Sequence, residues 1–137
     1  MYARESHGFK TTVEPEYVSE ETSSGKTYYI YSYTVSIENI GKKPCQLMSR
    51  HWQVRDGEGF EEHVVGDGVI GKQPMIRPGE TFTYTSGCPL STPTGNMRGK
   101  YSMLGPDDEE FDIKIPLFFL RPDEGSFEAD LDKPAVH

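Results

Sequence analysis

The chain has 137 residues, 34% of them apolar, with 14 glycines and 10 prolines. That fits one domain with a real core and many turns, and it argues against long helices. The net charge of −8, with no Lys/Arg cluster to override it, speaks against a nucleic-acid partner, and the longest apolar run, residues 117–120, is far too short to span a membrane.

In residues 9–17, Phe9, Thr11, Val13 and Tyr17 share one parity, which predicts a first strand with Pro15 at an edge or bulge. A polar turn is expected over 19–26. The clearest strand covers 29–37: Tyr29, Tyr31, Tyr33, Val35 and Ile37 fall on one face, and Ser and Thr dominate the other. Residues 39–41 end it. A third strand is expected over 45–56, with Met48, Trp52 and Val54 on one parity. Arg50 shares that parity, which is costly for a buried guanidinium unless it pairs with a carboxylate, is turned outward by a bulge, or sits at the open rim. Asp56-Gly57-Glu58-Gly59 reads as a hairpin turn into a short strand at 60–65. Residues 66–73 are glycine-rich, Pro78-Gly79 marks another turn, and 81–86 alternates Phe82 and Tyr84 against three threonines. A long loop is expected over 87–96, then strands over 97–104 and 111–120.

About seven short strands with no helical period predict an all-β fold: an antiparallel two-sheet β-sandwich of the immunoglobulin or fibronectin type III kind. The lone Trp52 fits such a core, and the missing cysteine pair favours the fibronectin version. Twelve side chains are expected between the sheets: Tyr29, Tyr31, Tyr33, Val35, Ile37, Trp52, Val54, Phe82, Tyr84, Phe111, Ile113 and Ile115. Residues 1–122 form the domain in this reading. Residues 123–137 form an acidic, flexible tail; from Arg121 onward it holds five carboxylates against two cations. The first ten residues are polar and charged, unlike a secretory leader, so a cytoplasmic location with free Cys45 and Cys88 is expected.

The chemistry-bearing candidates are few. Gly66-Asp67-Gly68-Val69-Ile70-Gly71 matches G-x-G-x-x-G, but Pro74 forbids the helix that a dinucleotide fold needs. A glycine turn can still hold an anion through successive backbone N–H groups, with Lys72 adding charge and Arg50 or Arg98 a guanidinium fork. The bland reading of the same block is a plain connection. His51 and His63 lie six residues either side of residue 57 and are expected to meet across the hairpin. No zinc or calcium spacing, nucleophile elbow or catalytic cysteine signature is present, so no metal, cofactor or catalytic residue is expected.

Five blocks run in order: 46–52 (QLMSRHW), 66–74 (GDGVIGKQP), 78–80 (PGE), 82–87 (FTYTSG) and 95–101 (GNMRGKY). On these the chain resembles the ApaG family over about residues 9–120. The resemblance implies a fibronectin III-like sandwich. Bacterial members are stand-alone small proteins associated with genes for dinucleoside-tetraphosphate hydrolysis and ribosomal RNA methylation, and with a cobalt/magnesium-sensitivity phenotype. Eukaryotic proteins that resemble it carry the domain beside an F-box or in a polymerase-delta-interacting protein. That distribution implies a module recognising another protein. The 66–71 block matches the family's G-x-G-V-x-G pattern, where pyrophosphate or nucleotide binding is a natural suggestion, and no family catalytic residues carry over.

The leading expectation is a non-catalytic protein-interaction module, with self-association into a homo-oligomer compatible. The alternative is a binder of a phosphate-containing small molecule through Gly66, Gly68, Gly71, Lys72, Arg50 and Arg98. A phosphoanhydride hydrolase ranks third. The glycine-rich loops at 66–75 and 87–96 flank one strand and are expected to form a composite binding surface with Arg50.

Overall fold

The computed structural model describes residues 1–122, so the expected acidic tail at 123–137 lies outside the described residues. Nine strands follow one another: β1 (Tyr2–Ser6), β2 (Phe9–Ser23), β3 (Lys26–Asn39), β4 (Cys45–Asp56), β5 (Glu61–Asp67), β6 (Met75–Ile76), β7 (Thr81–Leu90), β8 (Gly95–Leu104) and β9 (Glu110–Leu120). One sheet has the order β1-β2-β3-β7. The other runs β5-β4-β8-β9, with β6 pairing β4 beyond the end of β5. All pairings are antiparallel. The chain is therefore the expected two-sheet sandwich, and β1 and β2 lie over β9.

The alternation read from the sequence is what the core uses. Tyr31, Tyr33, Val35 and Ile37 of β3 are buried, as are Trp52, Val54, Tyr84, Ile113 and Ile115. Trp52 sits edge-on to Tyr33, Tyr101 and Phe118, with ring centroids 5.2, 6.3 and 5.9 Å away, so it joins the two sheets. Such tilted packing suits the ring quadrupoles. Tyr29, Phe82 and Phe111, expected inside, are only partly buried and pack against the margin of the core. They stand near strand ends, where the cover of the opposite sheet runs out.

Three expectations need correction. β1 was not foreseen, because its exposed, polar residues carry no alternating apolar signal; a His7-Gly8 turn with both φ positive folds it onto β2. The expected polar turn at 19–26 is strand almost throughout, and only Ser24 and Gly25, both at positive φ, make the hairpin bend. The expected loop at 87–96 is mostly strand, since β7 continues to Leu90 and β8 begins at Gly95. The short connection between them is locked. The Tyr31 hydroxyl donates to Pro93 O at 2.5 Å, and Gly57 N donates to Thr92 Oγ1 at 2.7 Å.

β4 explains the position of Arg50. The ladder with β8 pairs Leu47 with Met103 and then Ser49 with Ser102, so Met48 is an extra residue and a β-bulge. The bulge reverses the parity: Cys45 and Leu47 face the core before it, and Trp52 and Val54 face it after. Arg50 shares the inner parity with Trp52 and is half-buried at the margin.

Candidate functional site

The glycine block builds the join between β5 and β6. Gly66 stands opposite Arg50 in the β4·β5 ladder. The guanidinium lies flat across it: a Cβ placed on Gly66 would sit 2.9 Å from Arg50 Nη1. Arg50 Nη1 donates to Asp67 O at 3.1 Å and to Gly68 O at 2.9 Å. Gly68 has φ +62°, and a Cβ there would collide with the carbonyl of Lys72. Val69 is buried, and its N–H and that of Lys72 bond reciprocally to each other's carbonyls at 2.8 and 2.9 Å. Ile70 and Gly71 between them, both at positive φ, form the two-residue bend.

This geometry answers the anion-nest expectation. A nest needs successive N–H groups aimed at a ligand, but Gly68 N donates to Met48 O and Val69 and Lys72 are paired with each other. The glycines serve the chain's own backbone: one admits a guanidinium, one a close carbonyl, and one a positive φ. Arg50 is likewise occupied, holding the carbonyls of the hairpin it covers. Behind it lies a polar aromatic cluster. The Tyr84 and Tyr101 hydroxyls bond at 2.5 Å, and burial pushes both phenols upward from their ordinary value. A buried hydroxyl that finds a partner is stabilising, and one left alone costs the full desolvation penalty.

Arg98 is elsewhere. It pairs with Gln53 on the outer face of the same sheet, and its Nε donates to Gln53 Oε1 at 2.9 Å. The expected site residues therefore divide between two faces, with Arg50 and the glycine block on one side and Arg98 on the other. The two expected loops also part. The connection after Gly68 is tied to Met48 and Leu47, while the connection at 91–94 is tied to Gly57 beyond Asp56. Those anchors are ~26 Å apart along β4, so the composite surface is not formed.

The outer face holds what sequence reasoning mostly missed. His51 and His63 do meet, with Nε2 and Nδ1 2.8 Å apart, but diagonally. The hairpin centre is residue 58, so His63 stands opposite Gln53 and His51 opposite Val65. His63 Nε2 reaches Glu61 Oε2 at 3.0 Å. The hydrogen bond from His63, with further attraction from Arg55 and Arg98, holds the Glu61 carboxyl below its ordinary range. Next to this chain a groove of about 450 Å³ is lined by Arg4, His51, Gln53, Arg98, Gly99, Lys100, Lys114, Ile115 and Leu117. Only Arg98 was singled out for ligand binding from the sequence, because the others are scattered from Arg4 to Leu117 and converge through strand pairing alone.

No group of three or more His, Cys, Asp or Glu side chains among the described residues is placed to hold a metal ion. Cys45 and Cys88 are free and buried. Burial raises both thiols, Cys88 to about 11, so neither is poised as a thiolate nucleophile. No helix among the described residues is long and apolar enough to cross a membrane.

Residues 19–105 match the family model described as the ApaG domain. The chain belongs to the ApaG family. Among ApaG relatives, the Protein ApaG of Methylorubrum populi is 51% identical over 120 residues, covering 88% of this chain and 92% of its own length. The Protein ApaG of Maricaulis maris is 47% identical over 125 residues, covering 90% and 96%. Two solved structures carry the same sandwich. A structural-genomics target aligns with a TM-score of 0.81 at 33% identity, covering 95% of this chain and 90% of its own. The ApaA protein of Bordetella pertussis aligns at 0.77 and 46% identity, covering 82% and 92%. The C-terminal domain of wzt, at 7% identity and a TM-score of 0.53, shares the fold alone. The ApaG match spans β3 to β8 and so contains the glycine hairpin and the whole of β4 and β5.

Proposed function

We propose that this ApaG protein is a non-catalytic binding module that captures an extended segment of another protein along the free edge of β5. The observation that carries this reading is the composition of that edge. β5 pairs on one side only, with β4, and nearly all of it is exposed. An edge strand presents a row of unpaired N–H and C=O groups, which a partner strand can satisfy. Proteins normally guard such edges with charged residues, proline or bulges; β5 has no lysine, proline or bulge, and its charges are the carboxylates of Glu61, Glu62 and Asp67.

The flanking side chains favour the same reading. Phe60, Val64, Val65, Ile70 and Met75 lie on β5 or on the segments before and after it, Val64 on the inner parity and Val65 on the outer, and they are half of the large apolar side chains exposed among the described residues. Phe60 is 71% and Val65 69% exposed. Exposed apolar side chains gathered in one place mark an interaction surface more often than scattered ones do. One edge of the other sheet, β7, exposes Thr81, Thr83 and Thr85 instead, which gives a partner hydrogen bonds but little apolar area. Glu58, Glu62 and Asp67 border the β5 edge, so the best-matched segment is apolar at alternate positions and basic between them.

The test is site-specific photo-crosslinking in the host, with the probe at Val65 and, as a control, at Thr83. Crosslinks to a partner at 65 and none at 83 are expected, and Phe60→Lys in the probe-bearing chain weakens them without moving the melting midpoint. Equal labelling at both edges, or capture at 65 that Phe60→Lys leaves unchanged, refutes the reading. If the 65 adduct contains only a second copy of this chain, the partner is a homo-oligomeric mate.

A further inference from the structure

We infer that the outer face of the five-stranded sheet carries an oligophosphate-binding site, formed by Arg4, Arg98, Lys100 and Lys114 around the groove floored by Gly99. This site is separate from the β5 edge, and from the glycine hairpin, whose Gly68, Val69 and Lys72 amides bond to the chain's own carbonyls.

The argument begins with strand register. His51, Lys100 and Lys114 form one row across three strands, since Lys100 stands opposite both His51 and Lys114. Two lysines directly opposed in an antiparallel ladder repel, and such pairs destabilise a sheet. Here the repulsion is only partly answered. Lys100 Nζ leans to Asp112 Oδ2 at 3.3 Å, while Lys114 has no ion pair among the described residues. Arg98, on the same face as Lys100 and one outward position along β8, holds Gln53 and reaches Glu61 at 3.5 Å.

Arg4 arrives from the other sheet, and the reason is local. Tyr2, Arg4 and Ser6 share one parity on β1. Tyr2 packs on Phe118, with centroids 6.1 Å apart, and Ser6 Oγ accepts the Lys114 N–H at 2.8 Å. Arg4, midway between them, therefore falls beside Pro116 of β9. At that point Pro116 and Leu117 together face the single Arg98 across the β8·β9 ladder, a bulge that opens the sheet surface. Gly99, on the parity of Trp52 and Ile115, contributes only backbone to the groove floor, and a Cβ there would meet the His51 carbonyl. The result is a groove with four permanent cations and no carboxylate in its lining, on a chain whose net charge is −8.

Those features select the ligand chemistry. A volume of about 450 Å³ lies in the range of small-molecule sites. Two opposed ammonium groups flanked by two guanidinium groups match an anion with charge on more than one tetrahedral centre. The Arg forks bind phosphate oxygens bidentately and the Lys groups act as point charges. The only apolar contributors are Ile115 and Leu117, and the one ring in the lining is the His51 imidazole, which His63 holds at 2.8 Å. The phosphates therefore carry recognition, whether they come free or as the chain of a nucleotide. Distant carboxylates are damped beyond ~8 Å at physiological salt, so the local cations dominate.

The experiment is an amide-resolved NMR titration of the full chain with inorganic tripolyphosphate, with ATP, sulfate and a tetra-glutamate peptide as comparison arms. Shifts are expected at the amides of residues 98–100 and 114–117, with binding weakened about tenfold in Arg4→Ala/Lys114→Ala. Lys10→Ala/Lys26→Ala, which removes the same charge elsewhere, leaves the affinity within about twofold. Because Lys114 opposes Lys100, the groove variant melts no lower than wild type without ligand, which separates lost binding from lost folding. Equal affinity for ATP and tripolyphosphate places recognition in the phosphate chain; a gain for ATP above about tenfold would show base recognition and overturn the assignment. Shifts confined to the 66–72 amides, no shifts at about 5 mM tripolyphosphate, or equal binding of the tetra-glutamate peptide would also overturn it.

Discussion

Arg50 and Arg98 belong to the same sheet, three residues apart in register across β4 and β8, yet one faces inward and the other outward. Arg50 lies flat over Gly66 with its Nη1 committed to the Asp67 and Gly68 carbonyls. Around it nearly every polar group has an internal partner, down to the Tyr84–Tyr101 hydroxyl pair behind it. Arg98 is half exposed, shares Glu61 with Arg55, and borders a groove with a surplus of positive charge. The inner region looks like a ligand site in sequence because it concentrates glycines and cations. Arg50 Nη1 and the Gly68, Val69 and Lys72 amides are bonded to the chain's own carbonyls. The outer region has no motif, yet two of its four cations, Arg4 and Lys114, have no ion pair among the described residues, while Arg98 and Lys100 hold exposed carboxylates. A glycine-rich pattern reports where backbone comes close to something, and only the partners tell whether that something is a ligand or the protein.

The largest effect that can break this contrast is Gly68→Val. If the glycine hairpin is structural, the variant loses ~3 kcal/mol, because a β-branched residue must adopt φ +62° while its Cβ meets the Lys72 carbonyl. Denaturant unfolding measures it. A variant as stable as wild type would return the block to the role of an open ligand loop.

Arg50→Ala and Gly66→Ala sharpen the comparison at an intermediate size. Each is expected to cost ~1–2 kcal/mol: the first removes the two carbonyl contacts, and the second pushes the guanidinium off them. Since both break the same interaction, the double variant costs clearly less than the sum. Additive losses in a double-mutant cycle would mean that Gly66 is needed for some other reason.

The smallest effect belongs to the outer face. Arg98→Ala changes stability by no more than ~0.5 kcal/mol, because an exposed ion pair contributes little. A loss comparable with that of Arg50→Ala would show that the outer cations also hold the fold together.

Much of the sandwich was legible along the chain. The alternation from Tyr29 to Ile37 predicts the buried face of β3, and the lone Trp52 predicts the link between the sheets. β1 was illegible because it folds by pairing its backbone with β2 rather than by burying an apolar face. The strand at 87–90 was hidden by Gly87 and Pro89, which weaken a strand signal although β3 accommodates both. For the candidate sites, the 66–72 block was legible as special but not as to purpose. The Arg4, Lys100 and Lys114 convergence left no local trace at all.

The sequence by itself determined the class of fold, the side chains that fill most of the core and the placing of most turns. Those depend on period-two alternation and on residues with unusual backbone freedom, and both are written locally. Tertiary structure alone decided which cations act together. Cross-strand register sets side chains within a few ångströms of one another regardless of their separation along the chain, and a single extra residue at Met48 or at Pro116–Leu117 changes which face they share. It also decided that the donors of Gly68, Val69 and Lys72 turn inward, since a backbone N–H goes to whichever carbonyl the folded chain brings nearest.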